Sequence, residues 1–241
     1  MQMEKEARCT QDQTEQGDMT HIVKQLKVGF SFIKNYTYII VDKASQQAAI
    51  VDPSWELRTV VKTLDELGAR LTTILLTHSH FDHVNMVQPL LKRFNPQVYM
   101  SAQEIEYYNY RCANLNGMEH LDTIEVGRTH ISCLLTPGHT AGGACFLLSD
   151  SIFTGDTVFI EGCGICNAGG GCPEKMFDSI QMLKEHVHPE VRVYPAHSFG
   201  RPPGPALRDV MKENIYFLID KKNVFVDFRM RKSFKKIFDF C

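Results

Sequence analysis

Residues Leu71–His83 read LTTILLTHSHFDH. Leu71–Thr77 is apolar and short, the length of a buried strand rather than of a helix. It runs straight into His78-Ser79-His80-Phe81-Asp82-His83. Alternate side chains of an extended segment point the same way, so His78, His80 and Asp82 can converge, and His83 enters at the next turn. Three imidazoles and a carboxylate in one loop are costly to bury unpaired, and a divalent ion is the simplest partner. Nitrogen and oxygen ligands suit zinc, with iron or manganese as alternatives.

Three further residues stand where later strands are expected to end. His139 follows Pro137-Gly138, Asp156 follows Gly155, and His197 follows Pro195-Ala196. Glycine lets the backbone bend sharply beneath a ligand. Seven ligands are too many for one tetrahedral zinc and fit two adjacent ions with one carboxylate shared. A lone histidine at a strand end is ordinarily a satisfied polar residue. His139, Asp156 and His197 gain weight only beside the 78–83 cluster. His21, His120, His130, His186 and His188 lack such company and read as surface or structural residues.

Around these motifs the chain shows a repeated rhythm. Strand-like runs cover Gln25–Ile33, Tyr36–Val41 and Ala48–Val51, the last closed by Asp52-Pro53. Helical periodicity over Glu56–Leu67 stops at Gly68, a C-terminal capping glycine. A helix is expected over His83–Phe94, a strand over Val98–Met100 and a short helix over Ala102–Tyr108. The second half offers strands at Ile131–Leu135, Gly143–Leu148, Ser151–Phe153 and Val191–Tyr194, and a helix at Glu174–His186. Two halves of this kind predict a mixed α/β fold in which two mixed sheets pack together with helices outside.

The 241 residues suffice for a full core, and 44% hydrophobic with 22% charged residues is ordinary for a globular chain, which excludes disorder, collagen and coiled coil. A net charge of −2 gives no basic field for nucleic acid. No apolar run approaches the ~20 residues of a membrane span. Residues 1–20 are polar, lack the apolar stretch of a secretory signal and read as a mobile acidic tail. Eight cysteines in a long chain without such a signal read as reduced thiols of a cytoplasmic protein. Residues 21–205 then form the main folded domain. Residues 206–241 begin as a helix and end in a basic, aromatic tail, which either packs on the core or offers its lysines and arginines to an acidic partner.

The strings THSHFDH, TPGHTAGG, FTGDTVF and YPAHSFG resemble the metallo-β-lactamase superfamily from about residue 25 to 200. That resemblance implies an αββα four-layer sandwich with metals at one edge of the sheets. GDTVFIEGCGICNAGG and VRVYPAHSFG resemble its glyoxalase II branch. KNYTYIIVD, IVDPSWEL, FIEGCGIC and the FRMRK tail are similar to the zinc-dependent hydrolases of bacterial trans-acyltransferase polyketide clusters of the bacillaene type. Carried over, His78, His80 and His139 would hold one zinc ion, Asp82, His83 and His197 a second, and Asp156 would bridge them. Asp52 would support a metal-binding histidine from behind.

The same resemblance implies an acyl thioester as substrate, on acyl carrier protein or coenzyme A, attacked by a hydroxide bridging the two ions beside Asp82 and Asp156. A thiol pKa of about 8.5 makes thiolate a good leaving group, so no dedicated general acid is needed. Cys163-Gly164-Ile165-Cys166 reads as the substrate loop, and Ile165 stands where glyoxalase II has a basic residue that grips glutathione. A glyoxalase II-type hydroxyacylglutathione hydrolase and a persulfide dioxygenase-like enzyme with one iron remain the alternatives.

Overall fold

The computed structural model describes residues 20–30 and 33–231. The architecture follows from β2 (Ile33–Asp42), where Tyr38, Ile39, Ile40 and Val41 are at most 1% exposed. Successive side chains of a strand point to opposite faces, so a strand apolar at every position must be covered on both. Tyr38 and Ile40 face a second sheet, and Ile39 and Val41 face helices. β1 (His21–Phe30) and β3 (Gln47–Val51) flank β2 antiparallel. β4 (Arg70–Leu75), β5 (Gln97–Ser101) and β6 (Leu115–Met118) continue in parallel, giving the order β1-β2-β3-β4-β5-β6.

The second sheet contains β7 (Thr123–Val126), β8 (Thr129–Leu135), β9 (Ala144–Leu147), β10 (Ser151–Gly155) and β13 (Arg192–Pro195), in the order β13-β10-β9-β8-β7. Only the β10–β13 pair is parallel. β11 (Val158–Phe159) and β12 (Gly162–Cys163) form a small separate ribbon. Phe146 and Phe153 meet Tyr38, Val51 and Leu75 between the two sheets. α1 (Leu57–Glu66) and α3 (Val87–Phe94) cover the outer face of the first sheet through Val60, Leu64, Leu90 and Leu91. α5 (Pro173–His186), α6 (Leu207–Glu213), α7 (Ile215–Leu218) and α8 (Lys222–Met230) cover the second through Met176, Ile180, Val210, Phe217 and Phe225. These are the four layers of an αββα sandwich.

One expected helix is broken. His83–Phe94 divides into α2 (Phe81–Val84) and α3, with Asn85 and Met86 between them. The Asn85 carboxamide accepts the Trp55 N–H at 2.8 Å, and the Met86 N–H turns to the Pro53 carbonyl at 3.2 Å. The break also places Pro89 in the first turn of α3, where a missing N–H leaves no helical bond unmade. Short strands β6, β7, β11 and β12 lie outside the runs read from the sequence, because two to four residues carry too little alternation to register. The acidic tail expected over residues 1–20 lies outside the described residues except for Thr20. So does the tail beyond Arg231, with Lys232, Lys235, Lys236 and its phenylalanines. Among the described residues no helix is long and apolar enough to cross a membrane.

Strand direction assembles one functional edge. β3 and β4 are parallel, so Asp52 and His78 leave the first sheet at the same end. β10 and β13 are parallel, so Asp156 and His197 leave the second sheet together, and β8, two antiparallel steps from β10, delivers His139 there too. The two edges are laced by Ala144 N–H to the Thr77 carbonyl at 2.9 Å and by Tyr36 N–H to the Ala196 carbonyl at 2.7 Å.

Candidate metal centre

His78 and His139 are buried, and each ring is fixed by its Nδ1. The Thr77 hydroxyl donates to Asp52 Oδ2 at 2.7 Å, so its oxygen is left to accept the His78 Nδ1–H at 3.1 Å. His139 Nδ1–H donates to the Ile165 carbonyl at 2.7 Å. Both rings therefore turn Nε2 towards the same point. His80 Nδ1 sits 3.0 Å from one and 3.1 Å from the other, yet a single ring nitrogen can donate only one proton. Burial and then the neighbouring imidazoles lower the pKa of His78, and burial and then His139 and His83 lower that of His80. Ring nitrogens converging on one point match the donor set of a divalent transition metal.

A second group stands beside the first. His83 Nδ1 is held by Asp52 Oδ2 at 3.0 Å, and His197 Nδ1 by the Lys34 carbonyl at 2.9 Å. Their Nε2 atoms lie 3.7 and 3.4 Å from Asp82 Oδ2. Asp156 faces both groups: Oδ2 is 3.5 Å from His139 Nε2, while Oδ1 is 3.6 Å from His83 and 3.5 Å from His197. His83 Nε2 and Asp156 Oδ1 are buried without a hydrogen-bond partner. Orphaned buried atoms of this kind are rare and costly, and a cation between them removes the cost. Burial opposes a charge on His83, but Asp156, Asp52 and Asp82 outweigh it and hold the metal-free ring at about 9. His197 is raised too, its burial overcome by Asp82 and Asp156. Burial alone would raise the Asp82 carboxyl, yet His197, His83 and Asn35 keep it far below the usual carboxylate range. While no metal is bound, the surrounding carboxylates thus favour the protonated His83 ring near neutral pH.

All seven residues expected as ligands thus meet at one edge, with Asp52 behind His83 and Thr77. Asp52 occupies the left-handed region at φ 47°, which Asp tolerates better than most residues. Gly155 is also left-handed at φ +49°, and a Cβ there would stand 2.4 Å from Thr77 Oγ1. A cleft of about 490 Å³ opens from His80, His139, Asp156 and His197, walled by Phe159, Ile165, Phe199 and Tyr216. The 163–166 loop forms part of this wall. Gly164 N–H donates to the Asp156 carbonyl at 2.9 Å, and the Gly164 carbonyl accepts from Arg229 Nε at 2.8 Å. Burial pushes the Cys166 thiol up to about 11 and Cys163 higher still, so both are protonated near neutral pH. All six described cysteines are free.

Sequence reasoning passed over several supporting residues. Asn35 Nδ2 donates to the Asp82 carbonyl at 3.0 Å and to Asp82 Oδ2 at 3.1 Å. Its amide orientation is set by the Trp55 indole N–H, a pure donor 2.8 Å from Asn35 Oδ1. Thr77 and Glu104 were passed over as well, while Arg229 counts in the sequence only as one charge of the basic tail and not as a support of the 163–166 loop. Only the polar Asn35 and Thr77, buried within apolar strand ends, carried a signal.

The comparisons agree with this geometry. The metallo-beta-lactamase superfamily model matches residues 32–197. The chain is 57% identical over 92% of its length to the "Probable polyketide biosynthesis zinc-dependent hydrolase PksB" of Bacillus subtilis (strain 168), of which it covers 99%. It is 51% identical, with the same coverage, to "Probable polyketide biosynthesis zinc-dependent hydrolase BaeB" of Bacillus velezensis. Among solved structures, that of ETHE1 from Myxococcus xanthus is 27% identical with a TM-score of 0.74, over 88% of this chain and 92% of the other. Sandwich, edge and matched residues coincide, and the chain belongs to the metallo-β-lactamase superfamily.

Proposed function

We propose that this chain is a dinuclear zinc hydrolase that cleaves acyl thioesters, presented on acyl carrier protein or coenzyme A, in bacterial polyketide biosynthesis. The observation that carries the reading is the set of four imidazoles, His78, His83, His139 and His197, each tied through Nδ1 so that Nε2 faces the centre. The relatives named as zinc-dependent hydrolases of polyketide biosynthesis, matched over nearly their whole length, support the metal and the pathway. Six free cysteines suit a reducing, cytoplasmic setting.

His78, His80 and His139 would hold one ion, Asp82, His83 and His197 the other, with Asp156 between them. Bound there, the ions would supply Lewis acidity, polarising a carbonyl oxygen and acidifying water to a pKa of about 7. Asp52 holds the His83 ring and, through Thr77, the His78 ring in the orientation ligation needs. Phe159, Ile165, Phe199 and Tyr216 provide an apolar wall for an acyl chain. A thiolate departs without a proton donor. Glu161 is the one charged lining residue apart from those facing the metals, so among the described residues no cation lines the cleft to grip the carboxylates of glutathione.

The test is hydrolysis of one acyl group offered on carrier protein, on coenzyme A and on glutathione, with elemental analysis of the same preparation. Two zinc per chain with fastest release from the carrier or coenzyme A is expected. Equal turnover of the glutathione thioester would overturn the carrier assignment. One iron per chain with oxygen consumption would overturn the hydrolase reading in favour of persulfide oxidation.

A further inference from the structure

Glu104 is a carboxylic acid with 0% exposure that lies outside the ligand set. It stands in the first turn of α4 (Ala102–Tyr108), and its two oxygens reach two different loops. Oε1 accepts the Ser79 N–H at 2.9 Å and the Ser79 hydroxyl at 2.8 Å. Oε2 accepts the Gly142 N–H at 2.9 Å. Ser79 lies between His78 and His80, and Gly142 lies three residues beyond His139. A single buried group thus ties together the loops that carry the three imidazoles of the first metal group.

The rest of α4 supports the same junction. Ser101, which caps α4 by accepting the Glu104 N–H at 3.0 Å, donates its hydroxyl to the Gly142 carbonyl. Gly142 is therefore held through both its N–H and its C=O. It has no room for a side chain, since a Cβ would stand 2.2 Å from the Glu104 nitrogen. Tyr108, one turn on and on the same side of the helix, accepts the Ala141 N–H at 3.3 Å and donates to the Gly169 carbonyl at 2.6 Å. In an ordinary capping box, a glutamate at this position would turn back to the N–H of its own cap residue. Here both oxygens go to Ser79 and Gly142.

We propose that Glu104 is a positioning residue for the metal centre, its buried carboxyl fixing the His78–His80 loop and the His139 loop at the separation that lets three ring nitrogens share one ion. The proposal rests on the reading of this edge as a metal site. A buried carboxyl is costly unless its hydrogen-bonding capacity is filled, so neither loop can drift without leaving it unpaired. Glutamine in its place has the same shape but only one accepting end, so either Ser79 or Gly142 would face an NH2 group.

The experiment compares the full chain with Glu104→Gln, and with Glu106→Gln as a control on the exposed side of the same helix. Each protein is stripped of metal, shown to be folded by its thermal transition, and titrated with zinc against a chromophoric chelator and with cobalt(II). In Glu104→Gln, one of the two binding steps should weaken about 10–100-fold, the range for partners that orient a ligand, with the other nearly unchanged. The cobalt(II) visible bands of the weakened step should change shape, a response that mere loss of stability does not produce. Affinities and spectra equal to wild type would overturn the proposal alone. A wild-type chain that takes up no divalent metal would overturn it together with the metal-site reading. Should Glu104→Gln fail to fold, Ser79→Ala keeps the carboxyl and removes one contact. The same step should weaken to a smaller degree, and an unchanged titration would count against the role.

Discussion

The two ends of the sandwich use the same side chains to opposite effect. At the end away from the metal centre, Asp42 is 0% exposed and saturated: its oxygens accept the Ser45 N–H and hydroxyl, the Arg128 N–H and the Thr129 hydroxyl at 2.6–3.0 Å. Nearby, buried His21 pairs with Asp150 at 2.9 Å. At the metal edge, Asp156 Oδ1 and His83 Nε2 are buried with no such partner. A carboxylate whose donors all come from the chain is a structural joint. One left short of donors, beside imidazoles already tied at their other nitrogen, is a demand for a cation. Histidine and aspartate in the core are therefore not by themselves the mark of function; unspent hydrogen-bonding capacity is.

That contrast can be broken most decisively at the metal edge. His80→Ala or Asp156→Ala should lower kcat about a thousandfold or more while the fold survives, as read by thioester hydrolysis beside a thermal melt. Near-normal turnover in metal-verified variants would remove the distinction. Thr77→Val keeps the shape but takes away the oxygen that sets the His78 ring and the donor on Asp52. Zinc affinity should fall about 10–100-fold in chelator competition.

Metal uptake should also depend on pH, with a definite sign. The metal-free His83 ring is held at about 9, so near pH 7 it carries a proton that an incoming ion must displace. Apparent affinity should rise about tenfold per pH unit for each proton released, flattening as pH passes about 9. Calorimetry in buffers of different ionisation heat measures that release; none at pH 7 would contradict the carboxylate-held proton.

The smallest effect on catalysis belongs to the far end. Asp42→Ala should leave turnover per bound metal unchanged and cost roughly 1–3 kcal/mol of stability in denaturant titration, since its donors are stranded. Burial would raise the Asp42 pKa, but the Ser45, Thr129 and Arg128 hydrogen bonds lower it from 3.8 to about 2. Its folded pKa lies below its unfolded one, so its contribution is complete above about pH 4 and is lost as pH falls towards 2. The stability gap between wild type and variant should close over that window. A gap that persists at pH 2, or a fall in kcat at neutral pH, would contradict the assignment.

Much was legible along the chain because it is encoded locally. The unbroken apolar run Tyr38–Val41 marks a strand covered on both faces, Gly68 ends α1 at φ +60°, and the spacing of His78, His80, Asp82 and His83 puts four candidate ligands in one loop. The missed strands are two to four residues long, and the broken helix at Asn85 depends on Trp55, thirty residues earlier.

Residue types and short-range periodicity thus determined the layers, the strand ends and which seven histidines and aspartates stand as candidate ligands. Tertiary structure alone decided which nitrogen each ring presents, that Asp156 looks both ways, and that Glu104 joins two loops. These depend on single hydrogen bonds between distant segments, such as that from His197 to the Lys34 carbonyl across 163 residues. Backbone periodicity repeats every two to four residues and carries no information over such a span. Only the packed sheets bring donor and acceptor within 3 Å.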